Sequence, residues 1–195
     1  MKPHTFSSII ANGEAYPLHY ADIMAITRGD VNLVEFHTLP EYSDYRELFA
    51  KNPRVGMFWE TESATVGHFD CLLYKNEDGV ESIEFFDSYG FSIDKVFDFS
   101  EYDKRLFNNN NPLRTLIADA VNQGVKFKYN TVKFQSYANQ IATCGRYAAL
   151  RLRFYDLSLE QFQAFLQEGT KRAHRNYDEL VTSMTILFSD IQLFI

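Results

Sequence analysis

One cysteine, set where an alternating segment gives way to an apolar one, constrains this chain more than any other feature. Val132-Lys133-Phe134 alternates as a strand does, while Tyr147-Ala148-Ala149-Leu150-Arg151-Leu152-Arg153-Phe154 reads as a largely buried helix, with Cys144-Gly145 at its mouth. A thiol at that point feels the partial positive charge of a helix N-terminus, which favours thiolate and therefore nucleophilic attack. Gly145, lacking a side chain, leaves room for a substrate backbone to come close. In isolation the pattern is weak, because a cysteine opening a core helix is more often a small packed hydrophobe.

A second stretch changes its meaning. A cysteine nucleophile needs a base to take its proton, and the base needs a carboxylate to fix its tautomer. His68, in Val66-Gly67-His68-Phe69, and Asp87, in Glu84-Phe85-Phe86-Asp87-Ser88-Tyr89-Gly90-Phe91, supply both. Each lies in an apolar run with strand character, and Asn76-Glu77-Asp78-Gly79 between them is a turn signal, so the two belong on adjacent antiparallel strands with one face in common. Gln135, upstream of the cysteine, offers a side-chain amide for a developing oxyanion. Base, orienter, oxyanion donor and nucleophile are all present.

This ordered set, Gly-His-aromatic, then Asp-x-Tyr-Gly, then Gln…Cys-Gly, resembles the adenovirus maturation protease family (adenain) and its relatives that remove ubiquitin-like proteins. It is also similar to the maturation proteases of virophages and related small double-stranded DNA viruses, in which serine follows the glutamine as in Gln135-Ser136. The resemblance spans about Arg54 to Tyr155. It implies an α+β fold of the papain superfamily, adenain/ubiquitin-like-protease type: a central mixed or antiparallel sheet with the cysteine at the N-terminus of a packed helix. It implies His68 as general base, Asp87 as orienting partner, Cys144 as nucleophile and Gln135 as oxyanion donor beside the Cys144 backbone N–H. Two departures stand out. Phe69 replaces the family's tryptophan after the histidine, which alters any tight glycine-clamping tunnel. The segment Ser136 to Thr143 is longer than usual, leaving Gln140 as a rival donor.

The activity implied is a cysteine endopeptidase that cleaves viral capsid or virion precursors during maturation, after small residues such as glycine. Two other readings stay open: a deconjugating protease for ubiquitin-like modifiers, and a non-catalytic virion protein retaining the fold. Expected substrates are viral precursor polypeptides, with an activating peptide as a family-type partner. Expected locations are the virion and the host-cell cytoplasm.

Composition limits the alternatives. The chain has 195 residues, 46% of them hydrophobic with 18 Phe and 12 Tyr, enough for one domain over 1–195, with 1–20 as an N-terminal arm. A net charge of −7 argues against nucleic acid as the main partner, since phosphate binding needs a basic face. Two cysteines, Cys71 and Cys144, are no disulfide framework and fit a reducing compartment. Three positions from His68 along a strand, Cys71 should face the other way and pack as core. No apolar run reaches membrane-spanning length, and no signal-peptide core opens the chain. The five histidines fall without ligand spacing; His68 and Asp70 share a strand face, but two ligands do not hold zinc, so neither metal nor cofactor is expected.

Along the chain, Met1 to Tyr20 reads as irregular, with a turn at Asn12-Gly13 and Pro17 as a breaker. A short helix over Asp22 to Ile26 closes at Arg28-Gly29, Val31 to Phe36 is an edge strand, and Ser43 caps a helix over Asp44 to Lys51. Strands follow over Arg54 to Trp59, Val66 to Tyr74 and Val80 to Asp87. Trp59 is a candidate wall of the substrate cleft, along with Phe69 and Gly145, although a tryptophan in a central strand is more often core. Gly90 to Phe99 reads as an aromatic loop, Leu113 to Asn122 as an amphipathic helix stopped by Gly124, and Val125 to Phe134 as one or two strands. Ser158-Leu-Glu-Gln161 opens a helix that should end near Gly169. Leu180, Met184, Leu187 and Ile191 fall at helical spacing, a stripe for packing or else for a dimer or capsid contact, and the chain is expected to be a monomer or weak dimer.

Overall fold

The computed structural model describes residues 5–188. Chain order is α1 (Phe6–Ala15), α2 (Tyr20–Thr27), β1 (Asn32–Glu35), a 3-10 segment (Phe36–Glu41), α3 (Tyr45–Phe49), β2 (Arg54–Ser63), β3 (Val66–Glu77) and β4 (Val80–Phe86). Then come α4 (Ile93–Phe99), α5 (Glu101–Leu106), α6 (Pro112–Asn122), β5 (Lys126–Tyr129), α7 (Cys144–Arg153), α8 (Leu159–Ala173) and α9 (Tyr177–Phe188). The strands form one sheet in the order β1-β2-β3-β4-β5; β1 and β5 pair in parallel with their neighbours, and the three long strands are antiparallel. The expected mixed α+β arrangement is present.

Alternation on the long strands divides the core in two. Val55, Met57, Trp59, Leu72, Ile83 and Phe85 point to one face and are covered by α3, α4 and α6. Phe69, Cys71, Leu73 and Phe86 point to the other, where α2, α7, α8 and α9 pack. Cys71 is buried on the second face, as its spacing from His68 requires. On α7, all residues from Gly145 to Leu152 are buried, so the helix lies in the middle of its layer rather than on the surface. The Arg151 guanidinium is carried inside by a two-pronged ion pair to Glu84 of β4, Nε to Oε1 at 2.7 Å and Nη2 to Oε2 at 3.2 Å, which pins the cysteine helix to the sheet.

Several expectations need correction. The N-terminal segment is helical: Asn12-Gly13 lies within α1 because Thr5 caps it and because Gly13 allows close packing, a Cβ there falling 2.6 Å from Thr182 Cγ2. Asp44, not Ser43, caps α3 by accepting the Glu47 N–H. The aromatic stretch after Gly90 forms α4 once Ser92 caps it, and its Ile93, Val96 and Phe97 are buried. Val132 to Phe134 forms no strand; it is an extended segment whose Phe134 N–H reaches the Ser88 carbonyl at 2.9 Å. Helix α8 runs through Gly169, which is needed for contact with Leu180 rather than for termination, and ends at left-handed His174. In the C-terminal stripe Leu180 is buried and Leu187 exposed, while Ile191 lies outside the described residues.

Candidate active site

The hairpin β3–β4 fixes the first two site residues. Pairing of Cys71 with Phe86 continues to bring Asp70 opposite Asp87 and leaves His68 two residues further on, on the same face. His68 Nε2 lies 2.7 Å from Asp87 Oδ2. The other Asp87 oxygen, Oδ1, accepts the backbone N–H groups of Tyr89 and Phe91 at 2.9 and 2.8 Å. That wrapping explains the glycine in Asp-x-Tyr-Gly: Gly90 has φ +74°, and a Cβ would sit 2.9 Å from backbone atoms of Thr131 and Val132. Burial pushes the Asp87 carboxyl up, but the hydrogen bond and charge of His68, the neighbouring Asp70 and the Phe91 N–H hold it below its usual range.

Cys144 opens α7 beside His68. Burial pushes its thiol up, but the His68 charge and hydrogen bonding with the imidazole and with the backbone N–H groups of Phe69 and Gly145 outweigh it, so the thiol lies below its ordinary value. For His68, burial opposes the imidazolium, while its acidic neighbours Asp70, Cys144 and Asp87 lift it well above the ordinary imidazole range. Both shifts favour a thiolate–imidazolium pair over the neutral pair. Tyr89 stacks on the imidazole, centroids 5.4 Å apart and planes 18° apart, and Tyr137 stacks on Tyr89 in turn.

Gln135 is buried, and its Oε1 accepts the Ser88 hydroxyl at 2.7 Å. That bond uses the carbonyl end of the amide and reserves the NH2 end as donor. Its backbone N–H also binds the Ser88 carbonyl, so Gln135 is docked on the residue that follows Asp87. Gln140 is exposed, at φ +73°, in the long segment before Cys144.

Of the three residues expected to line the cleft, Phe69 does so. It borders a groove of about 520 Å³ together with Pro17, Leu18, Tyr20, Phe58 and Cys144. Trp59 does not: it is fully buried, stacked on Phe36 at 3.9 Å between centroids, because its strand face is the one covered by α3 to α6. Gly145 is buried too, and the space beside it belongs to Leu18 and Phe69, 3.1 and 3.4 Å from where a Cβ would stand, rather than to a substrate backbone. On the other side of His68 a second hollow is lined by Thr61, Tyr89, Phe91, Phe99 and Tyr137.

Three supporting residues escaped the sequence reading. Asp178 of α9 accepts the Thr143 hydroxyl at 2.6 Å, the Tyr147 hydroxyl at 3.2 Å and the Ser136 N–H at 3.0 Å, tying both ends of the Gln-to-Cys segment to the cysteine helix. Asn130 donates to the Asp87 carbonyl and accepts the Val132 N–H. Asp70 is buried beside His68, with Oδ1 3.0 Å from Nε2. The supposed N-terminal arm contributes as well: the Glu14 carbonyl accepts the Ala142 N–H, the Gly13 carbonyl accepts Arg146, and Pro17 to Tyr20 wall the groove. Alternation places Asp70 on the His68 face, but the rest depend on contacts distant in sequence and are invisible to periodicity.

Glu35, which lines the groove, brings a metal-capable atom within 4.8 Å of those of His37 and Glu60. The His37 ring contacts both carboxylates there, one ring nitrogen to each, which accounts for the cluster. The same spacing relates His68, Asp70 and Asp87, where the facing imidazole nitrogen is hydrogen-bonded to Asp87. No helix among the described residues is long and apolar enough to cross a membrane.

No protein-family model matches the sequence. The uncharacterized protein V9 of the Sputnik virophage is 30% identical over 174 residues, covering 89% of this chain and 96% of that protein. The ASFV pS273R protease superposes with a TM-score of 0.52 at 14% identity, over 89% of this chain and 68% of its own. A de-sumoylating protease superposes with a TM-score of 0.49 at 13% identity, over 94% and 85% of the two chains. The chain thus belongs to the family of Sputnik virophage protein V9, and its fold is the papain-like fold of the adenain and ubiquitin-like-protein cysteine proteases.

Proposed function

We propose that this chain is a cysteine endopeptidase that cleaves viral precursor polypeptides during particle maturation. The observation that carries the reading is the His68 ring hydrogen-bonded to Asp87 Oδ2, with Cys144 at the mouth of α7 lining the adjacent apolar groove. The Cys144 thiolate attacks the scissile carbonyl, and the oxyanion is received by the Cys144 backbone N–H and the Gln135 amide. His68 gives its proton to the leaving amine, then takes one from the water that releases the acyl group. Asp87 keeps the imidazole oriented throughout and stabilises its charge.

The virophage relative supports a viral precursor as substrate, encountered in the virion or the host-cell cytoplasm. The groove favours an extended polypeptide with apolar side chains. Phe58 and Phe69 in tilted contact at 4.9 Å, with Tyr20 edge-on, make a broad wall where a narrow two-glycine clamp would be needed for ubiquitin-like tails. Cleavage after a small residue remains part of the proposal.

The test is incubation of the protein and its Cys144→Ala variant with the capsid precursors of the source virus, read by mass spectrometry of new termini. Cleavage by the wild type alone, with both proteins equally folded by circular dichroism, is the expected result. Identical processing by the variant rejects the assignment. Labelling of Cys144 by a ubiquitin-like modifier carrying a C-terminal electrophile would instead favour deconjugation.

A further inference from the structure

Asp70 has no role in the three-residue scheme, yet it is completely buried against it. Its position follows from strand alternation: two residues after His68 on β3 it must share the histidine's face, opposite Met57 on β2. Neither of its oxygens receives a hydrogen bond. The one nitrogen in reach, His68 Nε2 at 3.0 Å from Oδ1, is bonded to Asp87 at 2.7 Å. Asp87, by contrast, already has three donors. A buried carboxylate without donors is costly, whereas a buried carboxylic acid beside a carboxylate becomes a donor itself.

We propose that Asp70 is a positioning residue that donates its carboxylic O–H to Asp87, extending the Cys144–His68–Asp87 line to a fourth member. This rests on the active-site reading above. One oxygen of each carboxyl group and the His68 nitrogen lie within 4.8 Å of one another, and between the two groups the proton belongs on Asp70 because Asp87 alone accepts the backbone N–H groups of Tyr89 and Phe91. Burial and then the Asp87 charge push the Asp70 carboxyl well above the usual carboxylate range, which agrees with the geometry.

The titratable groups facing this pair are His68 on the same strand, Tyr89 from the turn after β4, Tyr137 from the segment before α7, and Cys144 at the start of α7. Cys71, on the opposite face, and the Glu84–Arg151 pair lie behind it. With Asp70 neutral, one negative charge rather than two faces the imidazolium. An imidazolium held by two anions would be a poor donor to a leaving amine, so the shared proton keeps His68 able to act in both directions. It also fixes the Asp87 carboxyl from the side that backbone donors do not reach.

The experiment follows the His68 titration by nitrogen-15 NMR of histidine-labelled protein, in wild type, Asp70→Asn and Asp70→Ala. An asparagine donates N–H to Asp87 as the acid donates O–H, so Asp70→Asn should leave the His68 midpoint unchanged. Asp70→Ala removes a donor from Asp87, concentrates its charge on the imidazole, and should move the midpoint to higher pH. A lower midpoint in both variants would mean that an anion had been removed, and would overturn the proposal, as would no shift in either. Infrared spectra supply a check independent of the alanine variant's folding: the wild type minus Asp70→Asn difference spectrum at neutral pH should show a protonated carboxylic acid band, the acid of Asp103 cancelling because both proteins carry it, and no such band in the difference overturns the proposal. Iodoacetamide alkylation of wild-type Cys144 separates the two readings. An ordinary thiol pKa there sinks the active-site assignment itself, whereas a depressed one with Asp70-independent histidine titration sinks only this inference.

Discussion

Replacing Asp178 by alanine tests whether α9 holds Cys144, the proposed nucleophile, in place. The carboxylate takes two buried hydroxyls, of Thr143 and Tyr147, on Oδ1, and the Ser136 N–H on Oδ2. Ser136 is exposed, so water can replace its partner, but the two hydroxyls are sealed from solvent. Stranding each costs about 1 to 3 kcal/mol, so the variant should lose about 2 to 6 kcal/mol of folding stability. At this chain length that is roughly 4 to 24 °C in melting temperature. Asp178→Asn can keep Oδ1 for the hydroxyls and lose only the Ser136 bond, so its loss should be smaller, about 1 to 2 kcal/mol.

Function should suffer beyond stability. Thr143 precedes Cys144 and Ser136 follows Gln135, and a displacement of about 1 Å between nucleophile and oxyanion donor can cost about 100-fold in rate. Urea unfolding gives the first quantity, and kcat/KM on a precursor peptide well below the melting temperature gives the second. An alanine variant within about 1 kcal/mol of wild type and equally active would refute the reasoning.

Arg151→Met should cost about 3 to 5 kcal/mol by stranding Glu84, whose remaining cation, Lys128, lies 3.6 Å away; adding Glu84→Leu should recover most of it, and a double-mutant cycle in urea measures the coupling. Asp103 accepts the Glu60 N–H, and burial with the Glu60 charge raises its carboxyl to about 8. Against an unfolded value near 3.9 the native state holds the extra proton, so stability should fall as pH climbs from about 4 to 8, and Asp103→Asn should flatten that slope in melting curves. Gln135→Ala should lower kcat about 100- to 1000-fold while Gln140→Ala leaves it near wild type; the reverse pattern would assign the oxyanion donor to the exposed glutamine.

How much of this was legible beforehand depended on the range of the interactions. The β3–β4 hairpin could be read from two apolar runs around Asn76 to Gly79, and with it the meeting of His68 and Asp87, because alternation and a turn fix a local register. The cysteine helix could be read from its apolar length, and α6 from its amphipathic spacing with Pro112 at the first turn. What failed was mostly punctuation: Gly13 and Gly169 looked like breaks because a glycine needed for close packing carries the same letter as one needed for a turn.

The sequence by itself determined the chemistry on offer: one cysteine at a helix mouth, one histidine and one aspartate on paired strands, and a glutamine upstream, all set by short-range rules of period and turn. Only the tertiary structure decided which neighbours make that chemistry work. Trp59 became core instead of cleft because layers, not residue type, choose the buried face. Asp178 was drawn in from the last helix, Pro17 to Tyr20 became a groove wall, and Asp70 came to rest against Asp87. Those outcomes turn on packing between segments far apart in the chain, for which no local pattern carries a signal.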